Sequence, residues 1–252
     1  NITEELMMLT GAGVSYALNT DGSLRTANGQ DLLTELDFAS LVSAPSSQRH
    51  FAFNGTDLVA GDTTAVTTGF VPKYGMIVDA AAEARTRGIK PLRGGGQDYY
   101  VYLCHPKTFA RLKKDADFRD VLVNAADRGA KNPVFTGASA ITVDGLIIHT
   151  NNRVFNTSNA TTGSGGGDAG KLGYKWGATA AVNGTRSMLM GCQAIGYADL
   201  FGAADWYEGK DDHDNKDVIS ISMYSGIIKP KFKAKAGATV QDFGLIAIDL
   251  AL

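Results

Sequence analysis

Cys104 and His105 stand side by side, and a thiol next to an imidazole is the pairing that could give this chain an activated nucleophile. Neighbours along an extended strand point to opposite faces, which sets the imidazole away from the sulfur. The pair therefore reads as a buried cysteine beside a histidine at a helix entrance. His50, His149 and His213 form no HExxH pattern, no i, i+4 ligand pair and no partnership with a cysteine. Asp211, Asp212, Asp214 and Asp217 could gather a hard cation, but the central glycine and terminal glutamate of a calcium loop are missing. They read as a solvated acidic loop. Arg93-Gly94-Gly95-Gly96 has the composition of a phosphate cradle without the following Lys-Ser/Thr, and its glycines lead into a strand, so a tight corner is expected. Lys229, Lys231, Lys233 and Lys235 alternate as the best basic patch. No aromatic shares their face to stack a base, and the lysines read as protection of a strand edge. Asn1, Asn54, Asn156, Asn159 and Asn183 open N-x-S/T triplets, but without a secretory signal no glycan is expected. No catalytic residue, metal ligand or cofactor site is assigned.

Composition narrows the class further. With 252 residues and 44% hydrophobic content, the chain can bury a substantial core as one large or two small domains. Its 24 Lys and Arg against 26 Asp and Glu give a net charge of -2, so no global field draws nucleic acid or an anionic membrane. The 2 cysteines are too far apart in sequence for a disulfide framework or a repeated CxxC site, and a reducing compartment is expected. No apolar run reaches the roughly 18 residues of a membrane span. The 30 glycines and only 20% charged residues suit a sheet-rich chain whose broad, weakly charged surfaces meet copies of themselves.

The elements that would position these groups follow from periodicity. Residues 4–18 and 31–42 have helical spacing, while 43–68 have little period and read as an exposed excursion, a loop or short irregular strands. Helix 72–88 has Pro72 in its first turn, with Tyr74, Ile77, Val78 and Ala81 on one face. Gly88 and Pro91 stop it, and Arg85 and Arg87 oppose its C-terminal dipole. After the glycine corner, 99–104 reads as a strand. Pro106 then opens a short helix, and a second helix carries Phe118, Val121, Leu122 and Ala125 and ends at Gly129. Residues 140–151 form a strand pair turning at Asp144-Gly145, which makes the class α+β. Residues 156–173, centred on Gly165-Gly166-Gly167, read as a mobile loop, and 187–199 as an apolar stretch open to helix or strand.

Near the carboxyl end, a turn at Ser225-Gly226 would set Ile219, Ile221, Met223, Ile228, Pro230 and Phe232 on one hairpin face. Ser220, Ser222, Lys229, Lys231 and Lys233 would lie on the other. The missing N–H of Pro230 makes its strand an edge or a bulge. Residues 242–250 close the chain as a buried strand. The lysine stripe and the acidic loop together suggest a contact between subunits, with Lys229, Lys231 and Lys233 of one copy opposite Asp211, Asp212 and Asp214 of another.

The order of these motifs resembles a known family. The sequence runs from a helix to I-K-P at Ile89, G-Q-D-Y-Y-V-Y at Gly96 and H-P at His105, then N-P-V-F-T-G-A at Asn132 and D-G-L-I-I-H at Asp144. With the acidic loop, G-I-I-K at Gly226 and D-F-G at Asp242, it resembles the major capsid proteins of tailed bacteriophages over roughly residues 70–252. That resemblance implies the Hong Kong 97 type coat fold. A long spine helix would lie within 72–88, in a peripheral domain of residues 1–98 and 217–235, and an axial domain would comprise 99–216 and 236–252. The N-terminal arm and extended loop of such coats are not matched before residue 70. It also implies a structural protein, not an enzyme, which assembles as hexamers and pentamers into an icosahedral shell. That shell would enclose double-stranded DNA held non-specifically, with scaffold, portal and decoration proteins as further partners and no membrane. Its place would be the virion, with assembly in the host cytoplasm. The competing reading is a soluble hydrolase using Cys104 and His105, or a metal at 211–217.

Overall fold

The computed structural model describes residues 2–14, 21–23, 26–27, 30–31, 42–125, 140–164, 171, 173–199, 205–213, 215–222, 225–233, 235 and 238–252. Helix α1 (Ile2–Ala12) is followed by the short strands β1 (Thr26–Ala27) and β2 (Gln30–Asp31). Then come a 3-10 turn (Ser47–Arg49), β3 (His50–Phe53), β4 (Leu58–Ala60) and helix α2 (Tyr74–Thr86). Strands β5 (Leu92–Gly94) and β6 (Gln97–Cys104) lead into helices α3 (Pro106–Leu112) and α4 (Ala116–Ala125), and β7 (Ala140–Val143) and β8 (Leu146–Thr150) follow. The last third is all strand: β9 (Gly184–Met190), β10 (Gly196–Asp199), β11 (Asp205–Asp211), β12 (Lys216–Ser222), β13 (Ser225–Ile228), β14 (Lys231–Phe232), β15 (Gln241–Asp242) and β16 (Leu245–Ala251).

An 8-stranded mixed sheet forms the body, in the order β4-β3-β16-β9-β6-β8-β7 with β5 paired to β6. Strand β16 lies parallel to β3 and β6 parallel to β8, while the other pairings are antiparallel. Alternation along the strands splits the apolar side chains between two faces. Tyr100, Tyr102, Leu189, Ile246 and Ile248 meet Met76, Ile77 and Ala80 of α2, with Phe109 of α3 and Phe118 of α4 in the same core. Leu103, Met188, Leu245 and Ala247 meet Leu9 and Ala12 of α1 together with Trp176 and Phe155. Covered on both faces, β16 is buried along its whole length, as expected for the segment 242–250.

Several sequence expectations hold. Gly95 and Gly96 form a two-residue turn with φ of +59 and +81, which gives the corner between β5 and β6. Asp144 and Gly145, at φ of +51 and +76, do the same between β7 and β8. His105 caps α3, its Nδ1 accepting from the Lys107 N–H at 3.3 Å, with Pro106 in the first turn.

Others are corrected. Helix α1 ends at Ala12, because Gly13 turns the chain at φ +69 and the Val14 N–H bonds back to the Leu9 carbonyl. The region 43–68 does form short strands, β3 and β4, after a 3-10 turn, but it is not an exposed excursion: Phe51, Ala52 and Phe53 are all buried, so no two-residue polar alternation advertises the strand. Pro72 precedes the Lys73 N-cap of α2 and is not in its first turn, and Val78 faces solvent while Met76, Ala80 and Ala84 point inward. The 187–199 stretch divides between β9 and β10. The start of the 156–173 loop is anchored, with Asn156, Thr157 and Ala160 buried and Asn156 bridged to Thr185. Most of the 31–42 helix, the stop at Gly129, the Asn132 to Ala138 motif, the triple glycine and Met223 lie outside the described residues.

The hairpin expected at Ser225-Gly226 does not form. Both residues belong to β13, which pairs with β10, while β12 pairs with β11. Pro230 sits between β13 and β14, and its carbonyl accepts from the Phe243 N–H at 2.9 Å. Alternation alone left the partner of 216–222 open, and 205–211 supplies a full seven-residue register that the other side does not.

Candidate subunit interface

Eight of the twelve large apolar side chains that stand exposed among the described residues fall between positions 197 and 240. Their centre is the β11–β12 hairpin, which forms a two-stranded sheet of its own and is exposed at every position except the half-buried Gly209. The register places Trp206 opposite Ile221, Glu208 opposite Ile219 and Lys210 opposite Asp217, all on one face. Trp206 is 56% exposed, Ile219 59% and Ile221 63%, so a contiguous apolar surface projects into solvent. Tyr207 occupies the other face. A two-stranded hairpin by itself is marginal in water, and an exposed apolar patch of this kind is a candidate contact surface.

The expected charged contact residues separate. Asp211 and Asp212 are exposed at the hairpin tip, where Asp212 and His213 adopt φ of +53 and +55 and Asp212 pairs with Lys216 at 3.3 Å. Asp214 lies outside the described residues. Lys231 and Lys233 are exposed, as is Lys235. Lys229 departs from the stripe: it is buried, with its ammonium 3.3 Å from the Asp242 carboxylate. Burial is the largest influence on its pKa and lowers it, and Asp242 opposes that shift. Asp242 also accepts from the Ser46 N–H at 3.0 Å. Strict alternation could not reveal this, because the strand breaks at Pro230 and β13 and β14 take different partners.

The groups that could do chemistry are built into the body. Burial pushes the Cys104 thiol up to about 12, and the His105 ring is engaged at the helix cap. The strongest ionic constellation was not foreseen from sequence. On β16, Asp249 is fully buried and takes a fork from Arg186, Nε to Oδ1 at 2.7 Å and Nη2 to Oδ2 at 3.0 Å, with His50 Nε2 2.7 Å from Oδ2. Arg186 also donates to the Ala12 carbonyl at the C-terminal end of α1 and lies against the Trp176 ring. This network ties a helix end, two central strands and β3 together. Among the described residues no group of three His, Cys, Asp or Glu side chains could hold a metal ion. No helix of the described residues is long and apolar enough to cross a membrane.

The structure thus combines a mixed sheet that has an apolar core on each face with a separate two-stranded hairpin whose side chains stand exposed. The family model described as phage capsid protein matches residues 14–252, and the chain belongs to that family. It is 37% identical over 253 residues to the major capsid protein of Pseudomonas phage KPP25, covering 98% of this chain and 63% of that relative. Among solved structures, the capsid of Ralstonia phage GP4 superposes with a TM-score of 0.68 at 21% identity, over 99% of this chain and 63% of that one. The capsid of cyanophage Pam1 superposes at 0.59 and 14% identity, over 99% and 64%. The fold is thus α+β of the Hong Kong 97 type. The chain spans somewhat less than two thirds of the length of these relatives.

Proposed function

We propose that this protein is a major capsid protein, many copies of which form the icosahedral shell of a tailed bacteriophage. The observation that carries the proposal is the apolar face of the β11–β12 hairpin, on which Trp206, Ile219 and Ile221 stand exposed to solvent. Hexamers and pentamers of the chain would bury these surfaces, spreading the binding free energy over many modest contacts. The shell resides in the virion, is assembled in the host cytoplasm and encloses double-stranded DNA without sequence recognition. Scaffold, portal and decoration proteins are its further partners. The Lys231 and Lys233 side chains of one copy meet the Asp211 and Asp212 tip of a neighbour, and this contact weakens with salt. The division into peripheral (1–98, 217–235) and axial (99–216, 236–252) parts describes orientation in the capsomer. It does not describe separate folding units, since β3 from the first part and β16 from the second are paired in one sheet.

Expression of the full protein in bacteria, followed by electron microscopy and sedimentation, tests the proposal. Closed shells or capsomers are expected, and Trp206→Ser with Ile221→Ser should abolish them while leaving the thermal melt of the subunit in place. Monodisperse monomers under all conditions, with or without the other virion proteins, would overturn it.

A further inference from the structure

The groove between α1 and the β5–β6–β9 surface is the counterpart that the hairpin lacks. Its volume is about 360 Å³, and its apolar lining includes Met7, Met8, Leu92, Met190, Cys192 and Ile195. The turn that forms one wall, residues 191–195, is held rigidly. The Gly191 N–H bonds to the Gly244 carbonyl and the Cys192 N–H to the Lys90 carbonyl, and the exposed Gln193 takes φ +62. Three methionine thioethers lining one groove make an adaptable surface that favours an aromatic occupant. Within one subunit the groove is open while Trp206, on the arm that continues from the same turn, is exposed.

We propose that the Trp206–Ile219–Ile221 face of one copy docks in the methionine-lined groove of the next copy around a capsomer. This inference rests on the shell-forming reading above and names the surfaces that meet. Three features select a second copy as the occupant. The hairpin face offers one large aromatic flanked by two β-branched side chains, which matches a groove of that volume and lining. Charge agrees at the margin: Glu208 is exposed beside Ile219 on the hairpin face, and Lys90 is exposed where its carbonyl holds the groove turn. Knob and groove are also different patches of one surface, so the contact is heterologous and continues from copy to copy until a ring closes.

The chain's own cysteines provide the test. Cys192 lines the groove and is half-buried, whereas Cys104 is fully buried. Trp206→Cys, Ile219→Cys and Ile221→Cys are made singly in the full protein, assembled, and oxidised with diamide, which takes up the two hydrogens as each thiol pair becomes a disulfide. At least one variant should give a ladder of covalent oligomers beyond the dimer on a non-reducing gel, and Cys192→Ser in the same background should remove it. In the unmodified protein, labelling of Cys192 by a maleimide should be rapid in dissociated subunits and largely lost in particles. Particles in which none of the three variants crosslinks, or in which Cys192 stays as reactive as in free subunits, would overturn the docking while leaving the capsid reading intact. A product that stops at dimers would point to a self-complementary contact and overturn it equally. Failure of the unmodified protein to assemble would instead count against the capsid reading.

Discussion

Replacing Arg186 by Met removes one half of the buried fork and leaves the other half without water. Desolvation is the largest influence on Asp249 and raises its pKa, but Arg186 and His50 more than reverse it, so the folded value lies below 3.8. A depressed carboxylate pKa contributes stability above the unfolded value of 3.8, and that contribution is lost as pH falls through the lower folded value. In Arg186→Met the desolvation stays and the main compensation goes, so the folded pKa moves above the unfolded one. The penalty is then greatest at neutral pH and shrinks as pH falls through the raised value. Breaking a buried pair of this kind costs about 3–5 kcal/mol. For a chain of this size that corresponds to a fall in Tm of roughly 6–20 °C. Melts of both proteins followed by circular dichroism at pH 7 and in steps down to pH 4 should show the gap narrowing with acid. Arg186→Met/Asp249→Leu should recover much of the loss, because no unpaired charge remains. His50→Gln in the Arg186→Met background should deepen it, since that ring is the other group facing the carboxylate. A gap that is constant with pH, or an Arg186→Met melt within about 1 °C of the natural protein, would refute the reasoning.

Four further outcomes follow from the fold. Asp115 accepts from the N–H of Tyr74 at 2.9 Å and of Phe118 at 3.4 Å, serving the first turns of α2 and α4 at once. Asp115→Ala should therefore cost about two caps, roughly 2 kcal/mol, read as a Tm lowered by about 4–8 °C. At Gly244 an added Cβ would collide with the Cys192 carbonyl oxygen and stand 3.0 Å from the Ala194 nitrogen, both backbone. Gly244→Ala should destabilise by roughly 1–3 kcal/mol and should speed maleimide labelling of Cys192 as the turn is pushed out. In dissociated, folded subunits of the natural protein Cys192 should react with a maleimide and Cys104 should not. Because burial raises the Cys104 pKa from 9.0 to about 12, its contribution to stability should decline as pH rises above 9, where the unfolded thiol ionises first.

The elements set by local rules were legible in the sequence. Gly95-Gly96 and Asp144-Gly145 demand positive φ, Pro106 after His105 opens a helix, and the run to Leu250 is too apolar for an exposed strand. What depended on partners was not. Strand β3 shows no alternation because both its faces are covered, and its parallel pairing to β16 joins residues about two hundred positions apart. The hairpin was placed one strand too late, since Ile219 and Ile221 suit any antiparallel neighbour and nothing local says that 205–211 is the one chosen. The same error put Lys229 in solvent. Asp249 and Arg186 were passed over because a charged residue within an apolar strand announces a buried pair only when its opposite is seen across the sheet. For Trp206 the sequence carries half of the signal: alternation in 205–211 sets it and Glu208 on one face, but the apolar triangle emerges only from the pairing of that run with 216–222.

The placement of apolar surface separates two properties that are often mixed in a subunit of a large assembly. In the body, the central strands carry an apolar core on each face and the buried Asp249 carboxylate is paired with Arg186 within the chain. In the hairpin, β11 and β12 pair with each other along a seven-residue ladder, and their side chains stand exposed. Substitutions at Arg186, Asp115 or Gly244 should accordingly move the melt of the free subunit, whereas those at Trp206, Ile219 or Ile221 should move the concentration at which particles form. Burying a Trp side chain that is 56% exposed removes on the order of 100 Å² from water. At about 25 cal/mol per Å² this contributes roughly 2.5 kcal/mol per contact. That is too weak to hold two subunits together alone, and it becomes decisive when each subunit makes the contact twice, once as knob and once as groove, around a closed ring.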